Sequence, residues 1–197
     1  LNSMDHSDNS FSLAGQLLIA SPGMQDPHFK QTVTLICEHD TKGALGITIN
    51  RPSKVSLAEV LTELGISIDD PDNLEILSQS QVLHGGPVHS NRGLILHSAD
   101  SAWESSIKVS DQLSLTSSRD ILESIGIGTA PSEYLLFLGY AGWGPGQLEQ
   151  ELIDNSWLHA NATQQLIFRT KHENCWRATA ESLGIDIDKM SIHAGHA

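Results

Sequence analysis

A glycine-rich passage from a strand into a helix constrains the fold of this chain more than any other feature. The apolar run 134–140 predicts a buried strand, and an amphipathic helix begins near Gln147. Between them lie glycines 139, 142, 144 and 146. Glycine permits positive φ and close backbone approach, which a sharp corner requires. The sequence therefore predicts a tight corner between a sheet and a helix.

Nucleotide pockets are often built from the same layout, so the residues in the bend decide between the two interpretations. Glu149 and Glu151 fall in the first helical turn, where they complement the helix dipole and repel a phosphate. Gln147 stands where the dinucleotide motif needs a small residue, and no Lys-Ser or Lys-Thr pair follows as in a P-loop. Trp143 also fills the bend with a bulky ring. We interpret the bend as a structural corner and predict no cofactor.

Length and charge bound the possible functions. At 197 residues, without a Pro-, Gly- or Ser-rich linker, the chain is expected to form a single domain over 13–197. We expect 1–12 to be disordered, with 1–3 a cloning remnant before Met4. The formal net charge of −13 repels nucleic acid and anionic lipid, which disfavours direct nucleic-acid binding.

Cysteine usage and the N-terminal charge predict the compartment. The two cysteines form no C-x-x-C pair, which is typical of a reducing environment. No Lys or Arg precedes Lys30, as a secretory leader would require, and the apolar stretch 17–20 is too short to span a bilayer. We therefore expect a cytoplasmic protein with no membrane segment.

Hydrophobic patterns predict the order of the elements. Strands are predicted at 16–20, 32–37, 44–50, around Val82, and at 93–97, 112–115, 134–140 and 165–169. Ser56 and Glu59 form a capping box that starts a helix ending at Gly65, whereas the acidic stretch 68–74 predicts a solvated loop. Several strands follow one another without an intervening helix. This order favours an α+β domain with a mixed, largely antiparallel sheet, barrel-like in its curl, and about four flanking helices.

A series of short motifs in a fixed order gives the chain a family resemblance. The motifs are Leu18-Ile19-Ala20, Asp26-Pro27, Cys37-Glu38-His39, Ile49-Asn50-Arg51-Pro52, Gly85-Gly86-Pro87-Val88, Arg92-Gly93, Ser118-Arg119-Asp120, Gly139-Tyr140-Ala141-Gly142-Trp143, Gly146-Gln147-Leu148-Glu149, Trp157-Leu158 and Ala194-Gly195-His196-Ala197. With them the chain resembles the bacterial AlgH/YqgE family over essentially its whole length after the first dozen residues.

The resemblance implies a compact α+β fold in a cytoplasmic protein. The regulator label of some members refers to effects on alginate gene expression, which implies an indirect effect on transcription here. The family carries no established catalytic or metal-binding residue set, so none is transferred. Neither the charge nor the helix pattern of this chain predicts a helix-turn-helix.

Polar turns at the ends of apolar strands are candidates for a ligand or partner cleft, because loops on a rigid sheet often carry binding groups. The candidate residues are Asn50, Arg51, Gly85, Gly86, Arg92, His97, Tyr140, Trp143 and Gln147. The alternative is that the arginines satisfy loop carbonyls or pair with carboxylates.

Cys37 is a candidate redox residue. If its strand continues, His39 projects from the same face at about 7 Å, where an imidazolium would favour the thiolate. Glu38 acts in the opposite direction, and a buried inert thiol is the alternative. The ten histidines show no H-E-x-x-H motif and His193 and His196 belong to an expected mobile tail, so no metal site is predicted.

Two functional hypotheses remain. One is a non-enzymatic regulatory or interaction protein that acts through a protein partner or a small effector. The other is a small-molecule or nucleotide-binding protein, which could include an enzyme, with a cleft near Arg51, Arg92 and 140–147.

Overall fold

The computed structural model describes residues 11–189, and one sheet of ten strands organises them. The strands are β1 Gln16–Ala20, β2 Val33–Asp40, β3 Gly43–Thr48, β4 Pro52–Ser56, β5 Gln81–His84, β6 Val88–Ser98, β7 Ser106–Lys108, β8 Leu113–Thr116, β9 Tyr134–Trp143 and β10 Trp157–Asn161. The helices with both ends in this range are α1 Leu57–Glu63, α2 Pro71–Gln79, α3 Arg119–Gly126, α4 Gln147–Ile153, α5 Gln164–Phe168 and α6 His172–Glu181.

The strands lie in the order β10-β1-β2-β3-β9-β6-β8-β7, with β4 and β5 branching from β9. Only the β5–β9 pair is parallel among these strands, and the sheet curls into a half-barrel. The predicted fold class, α+β with a mixed and largely antiparallel sheet, is confirmed. Among residues 11–189, no helix combines the length and the apolar character needed to cross a membrane.

Three apolar clusters pack against the sheet. The interior cluster fills the curl and includes Leu35, Leu94, Leu115 and Phe137, with Leu166 of α5 and Cys175 of α6 covering it. An outer cluster joins Leu136 to helices α1, α2 and α3, and a second outer cluster joins Ala141 and Trp143 to α4. Strand β9 supplies side chains to all three clusters, so it is the central element of the molecule.

One edge of β9 pairs with two different strands, β3 and β5, and Gly85 lies where these two strands diverge. We call this place the fork. Strand β9 pairs with β3 through Ala141–Trp143 and, on the same edge, with β5 through Phe137 and Leu138. The Gly85 N–H donates to the Leu138 carbonyl and its own carbonyl accepts from the Thr48 N–H, both at 2.8 Å. A Cβ at Gly85 would lie 2.3 Å from the Gly139 carbonyl oxygen, so only glycine fits.

The corner at 139–147 is smaller than predicted. Strand β9 continues through Gly139 and Gly142 to Trp143, so the prediction that the strand ends at 140 is wrong. Only residues 144–146 turn, and Gly146, at φ 73°, is the N-cap of α4. Gln147 begins the helix as predicted. The neighbouring strands β3 and β6 pair with β9 and keep its glycines in the strand. Local propensity alone does not predict this pairing.

Two further predictions of secondary structure are wrong. The stretch 68–74 is not a loop throughout, because α2 begins at Pro71 with Asp70 as its N-cap. Proline at the first helical position after an aspartate is a helix-start signal that the acidic composition obscured. The predicted strand 165–169 is the short helix α5, capped by Thr163. A short apolar run cannot be assigned to strand or helix from its period alone.

Candidate functional site

A cavity of 280 Å³ opens at one end of the half-barrel, and we call it the mouth pocket. Its lining residues are Glu38, Leu45, Arg92, Leu94, Ser105, Ser106, Ile107, Leu115, Ser117 and Tyr140. Leu94 and Leu115 belong to the interior cluster, and Leu45 and Ile107 pack against it. The pocket therefore has an apolar wall continuous with the core, which is typical of ligand sites in the mouths of β-barrels.

Two strand irregularities place the charged residues of the pocket. In β2 the register with β3 shifts between Ile36 and Glu38. In β6 the register with β9 shifts between Val88, opposite Tyr140, and Gly93, opposite Leu138, so the β6 segment that carries Arg92 bulges from the ladder. Bulges redirect side chains and are common beside functional sites.

Three polar side chains of the mouth pocket lack a polar partner in the part of the chain that the structure describes. Within residues 11–189, no hydrogen bond or ion pair engages the Arg92 guanidinium, the Glu38 carboxylate or the Tyr140 hydroxyl. The Tyr140 ring is half-buried and lies 5.8 Å from the ring of His89. A cation, an anion and a hydroxyl thus converge on an apolar wall with their hydrogen-bonding capacity available to a ligand.

A second, more open depression of 540 Å³ lies between β9 and α6 and is lined by Glu133, Tyr134 and His172, among others. Glu133 there is engaged by Arg169 at 2.8 Å. The mouth pocket is the better candidate site because its charges are free.

The mouth pocket unites two of the predicted cleft residues, Arg92 and Tyr140, and leaves Asn50 and Arg51 outside its lining. The Asn50 side chain accepts from the Val33 N–H at 2.9 Å and donates to the Gln31 carbonyl at 3.0 Å. Arg51 donates to the Lys30 carbonyl at 2.5 Å. The alternative that an arginine satisfies a loop carbonyl therefore describes Arg51 and not Arg92.

Gly85 and Gly86 do not line the pocket but pack against the backbone of β9 beside it. A Cβ at Gly86 would lie 2.2 Å from the carbonyl carbon of Tyr140. This close approach holds the backbone of β9 against the fork at the residue whose ring enters the pocket. The two glycines therefore position Tyr140.

Trp143 and Gln147 lie on the other face of the sheet from Tyr140. Gly142 pairs with Leu45, a pocket residue, whereas Trp143 pairs with Ala44 and packs in the α4 cluster. The Gln147 side chain accepts from the Gly144 N–H at 3.0 Å and closes the bend. Successive residues of a strand point to opposite faces, so Trp143 cannot share a pocket with Tyr140, and Gln147 lies on α4 outside the pocket lining.

The first turn of α4 is occupied by a carboxylate. The backbone N–H of Glu149 at this helix end lowers the pKa of its carboxyl below the ordinary value, and a bond to His39 at 2.5 Å lowers it further. His39 Nδ1 accepts from the Leu13 N–H at 2.9 Å, so Nε2 carries the proton and donates to Glu149. This arrangement agrees with our interpretation of the bend as a structural corner.

His97 is buried on the face of β6 opposite the mouth pocket. Its Nδ1 donates to the Ser98 carbonyl at 2.8 Å, so Nε2 accepts from the Thr116 hydroxyl at 2.7 Å. Thr116 is bonded in turn to the Ser106 hydroxyl at 2.6 Å. The His97 and Thr116 side chains alternate with Leu96 and Leu115 on their strands and so point away from the apolar wall of the pocket. Both ring nitrogens of His97 are therefore used in hydrogen bonds inside the fold.

Cys37 lies in the interior cluster with 1% of its surface exposed. Burial raises the pKa of the Cys37 thiol, and the nearby Glu38 carboxylate raises it further. The expectation that His39 shares its face is wrong, because the register shift at Ile36 and Glu38 interrupts the alternation of β2. The structure favours the inert thiol, since reactive cysteines need a stabilised thiolate.

Within the described range 11–189, no group of three or more His, Cys, Asp or Glu side chains is placed to hold a metal ion. His193 and His196 lie outside this range.

Sequence reasoning missed Glu38 as a pocket residue, along with the apolar wall and the serines at 105, 106 and 117. A charged residue directly after the predicted buried strand 32–37 was a usable signal for Glu38. The wall was not foreseeable, because it depends on which strands meet at the mouth.

Comparison with known proteins agrees with the fold and its motifs. A family model described as AlgH-like matches residues 17–188. The chain belongs to the AlgH-like family. UPF0301 proteins of Methylococcus capsulatus and Alcanivorax borkumensis are 48% and 47% identical to it, over 93% and 92% of this chain and 96% and 94% of theirs.

Solved structures give the same result for the fold. The solution structure of the AlgH protein from Pseudomonas aeruginosa matches with a TM-score of 0.76 and 39% identity, covering 98% of this chain and all of that one. A protein from Corynebacterium diphtheriae matches with a TM-score of 0.72 at 21% identity, covering 92% of each chain, and shows the fold alone. The motifs that predicted the AlgH/YqgE family from the sequence are therefore confirmed.

Proposed function

We propose that this AlgH-like protein is a non-enzymatic regulatory protein that acts through a small effector bound in the mouth pocket. The observation that carries the proposal is the Arg92 guanidinium, which lacks a partner among residues 11–189 and lines an apolar-walled pocket beside Tyr140. Its effect on transcription would be indirect, in the cytoplasm, and without direct nucleic-acid or membrane binding.

The dimensions and chemistry of the pocket support a small organic ligand with an anionic group. Ligand sites usually measure about 300–1,000 Å³ and combine apolar walls with a few placed polar groups. At 280 Å³ the mouth pocket lies just below this range, which favours a small metabolite over a whole nucleotide. Arginine binds carboxylate or phosphate oxygens with two parallel hydrogen bonds.

Thermal shift with a panel of organic acids, phosphorylated metabolites and nucleotides tests the proposal. A bound ligand at 100 times its Kd adds about 2.7 kcal/mol of stability. We expect a member of the panel to raise the Tm of the wild type and not that of Arg92→Ala. Arg119→Ala is the matched control, because Arg119 is exposed and pairs with Glu123 outside the pocket. A panel that leaves every Tm unchanged would contradict the proposal, as would turnover in a broad substrate screen, which would make the protein an enzyme.

A protein partner is the second candidate, and one surface favours it. Phe11 and Ile153 are 61% and 72% exposed and line a shallow depression beside β10, which is an edge strand of the sheet. Clustered exposed apolar residues often mark interaction sites. A pull-down from the native cytoplasm should recover a partner with the wild type and lose it with Ile153→Lys.

A further inference from the structure

We infer that the effector is a free amino acid with an apolar side chain, its carboxylate bound by Arg92 and its ammonium by Glu38. This inference rests on the proposed function and narrows it to one class of ligand. It follows from the pairing of charges in the mouth pocket, from the field of the whole protein and from the lining of the cavity.

The mouth pocket presents two opposite charges that do not neutralise each other. Glu38 and Arg92 both line it, yet no salt bridge joins them. Each stands at its own strand irregularity, on β2 and on β6. A cation and an anion therefore line one small cavity without pairing with each other, an arrangement that a molecule carrying both charges can bridge.

A purely anionic ligand would meet repulsion at this site. The formal net charge is −13, so the mean field of the protein opposes the approach of anions. Within the pocket, Glu38 would repel the same anion that Arg92 attracts. A zwitterion has no net charge to oppose its approach, and its ammonium converts the Glu38 repulsion into an attraction.

The remaining lining determines the side chain of the ligand. Arg92 and Glu38 are the only charged residues among those that line the mouth pocket. The rest of the wall consists of Leu45, Leu94, Ile107 and Leu115 with hydroxyl groups at the rim. An apolar side chain would bury its surface on this wall, whereas a charged side chain would lose hydration without gaining a partner.

Calorimetric titration with four probes tests the inference. The probes are L-leucine, L-phenylalanine, N-acetyl-L-leucine, which keeps the carboxylate but has no ammonium, and L-leucinamide, which keeps the ammonium but has no carboxylate. We expect the wild type to bind at least one amino acid and to bind both leucine derivatives far more weakly. Loss of one charge-assisted hydrogen bond corresponds to roughly 10- to 100-fold in Kd.

Two variants assign the charges to their residues. Glu38→Gln should weaken amino-acid binding by roughly 10- to 100-fold and should strengthen the weak binding of N-acetyl-L-leucine, because it removes the carboxylate that repels this anion. Arg92→Ala should remove binding of every carboxylate probe. Glu104→Gln is the matched control, because Glu104 is an exposed carboxylate next to the pocket residue Ser105 and is not itself in the lining.

The outcomes separate the two proposals. Equal affinity for leucine and its N-acetyl derivative, or unchanged affinity in Glu38→Gln, overturns the zwitterion and leaves the small-anion function standing. The same holds if no amino acid binds while a member of the organic-anion panel does. If neither panel binds, the proposed function fails and this inference fails with it.

Discussion

A methyl group at position 85 would collide with the Gly139 carbonyl oxygen at 2.3 Å, in the fork that joins β3, β5 and β9. This oxygen is a backbone atom, which cannot rotate away as a flexible side chain could. Single residues of this kind fix the position of Tyr140 and so the shape of the mouth pocket.

We therefore expect Gly85→Ala to lower the free energy of unfolding by about 3 kcal/mol, the upper part of the range for single substitutions. Gly142→Ala is the control on β9, since a Cβ there meets no atom within 4 Å, and it should change stability by less than about 1 kcal/mol. Urea denaturation with an unchanged m-value measures both. Equal midpoints for the two variants would contradict the account of the fork.

The residue scale also shows where sequence reasoning reaches its limit. Arg51 directly follows the predicted strand 44–50 and Arg92 directly precedes the predicted strand 93–97, and the two looked equivalent as polar ends of apolar strands. Arg51 donates to the Lys30 carbonyl, whereas Arg92 enters the mouth pocket without a partner among residues 11–189. The difference depends on which loop lies opposite each arginine, and that is a non-local property.

Among the elements, α1 is the one whose local sequence most fully specifies it. The Ser56 hydroxyl accepts from the Glu59 N–H at 3.2 Å, and the Glu59 carboxylate accepts from the Ser56 N–H at 3.1 Å. This capping box was predicted from residue types and spacing alone. All of its atoms lie within four residues, so no tertiary contact is needed to form it.

Ser56→Ala should cost about 1 kcal/mol of stability, because the Glu59 N–H loses the hydroxyl that accepts its hydrogen bond and the capping box is broken. Ser67→Ala is the matched control, since Ser67 is exposed just beyond α1 and its side chain makes no hydrogen bond within residues 11–189. Thermal melts followed by circular dichroism provide the measurement. If the two variants melt at the same temperature, the capping box does not stabilise the protein.

Elements without such local signals were predicted poorly. The short strands β4, β7 and β10 were not predicted, and α5 was assigned as a strand. Strand β10 exists because it pairs with β1 from Gln16 opposite Asn161 to Ala20 opposite Trp157. Residues separated by more than a hundred positions make that pairing, and no window along the chain contains it.

At the scale of the whole molecule, β9 links the three apolar clusters. Phe137 packs in the interior, Leu136 against α1 to α3, and Trp143 against α4. Loss of any one cluster therefore removes support from a strand that the other two need. The described part of the chain is expected to unfold as one cooperative unit.

Leu148→Ala, in the α4 cluster, tests this cooperativity. Leu148 is 1% exposed, and a buried Leu→Ala change costs about 2–5 kcal/mol. Two of the four tryptophans, Trp143 and Trp157, lie in this cluster, so part of the tryptophan fluorescence reports on it, whereas far-ultraviolet circular dichroism reports on the entire fold. Both signals should shift together to one lower urea midpoint, as they should for Leu115→Ala in the interior. A shift in fluorescence alone would show that the α4 cluster unfolds independently.

The sequence by itself determined the α+β class, the capped helix α1, the start of α4 and the membership in the AlgH-like family, because these depend on residue order and short-range spacing. Only the tertiary structure decided which polar residues meet. Register shifts in β2 and β6 turn Glu38 and Arg92 toward one cavity, and strand alternation turns Trp143 and His97 away from it. A one-residue change in register moves a side chain to the opposite face, and pairing between distant strands sets that register.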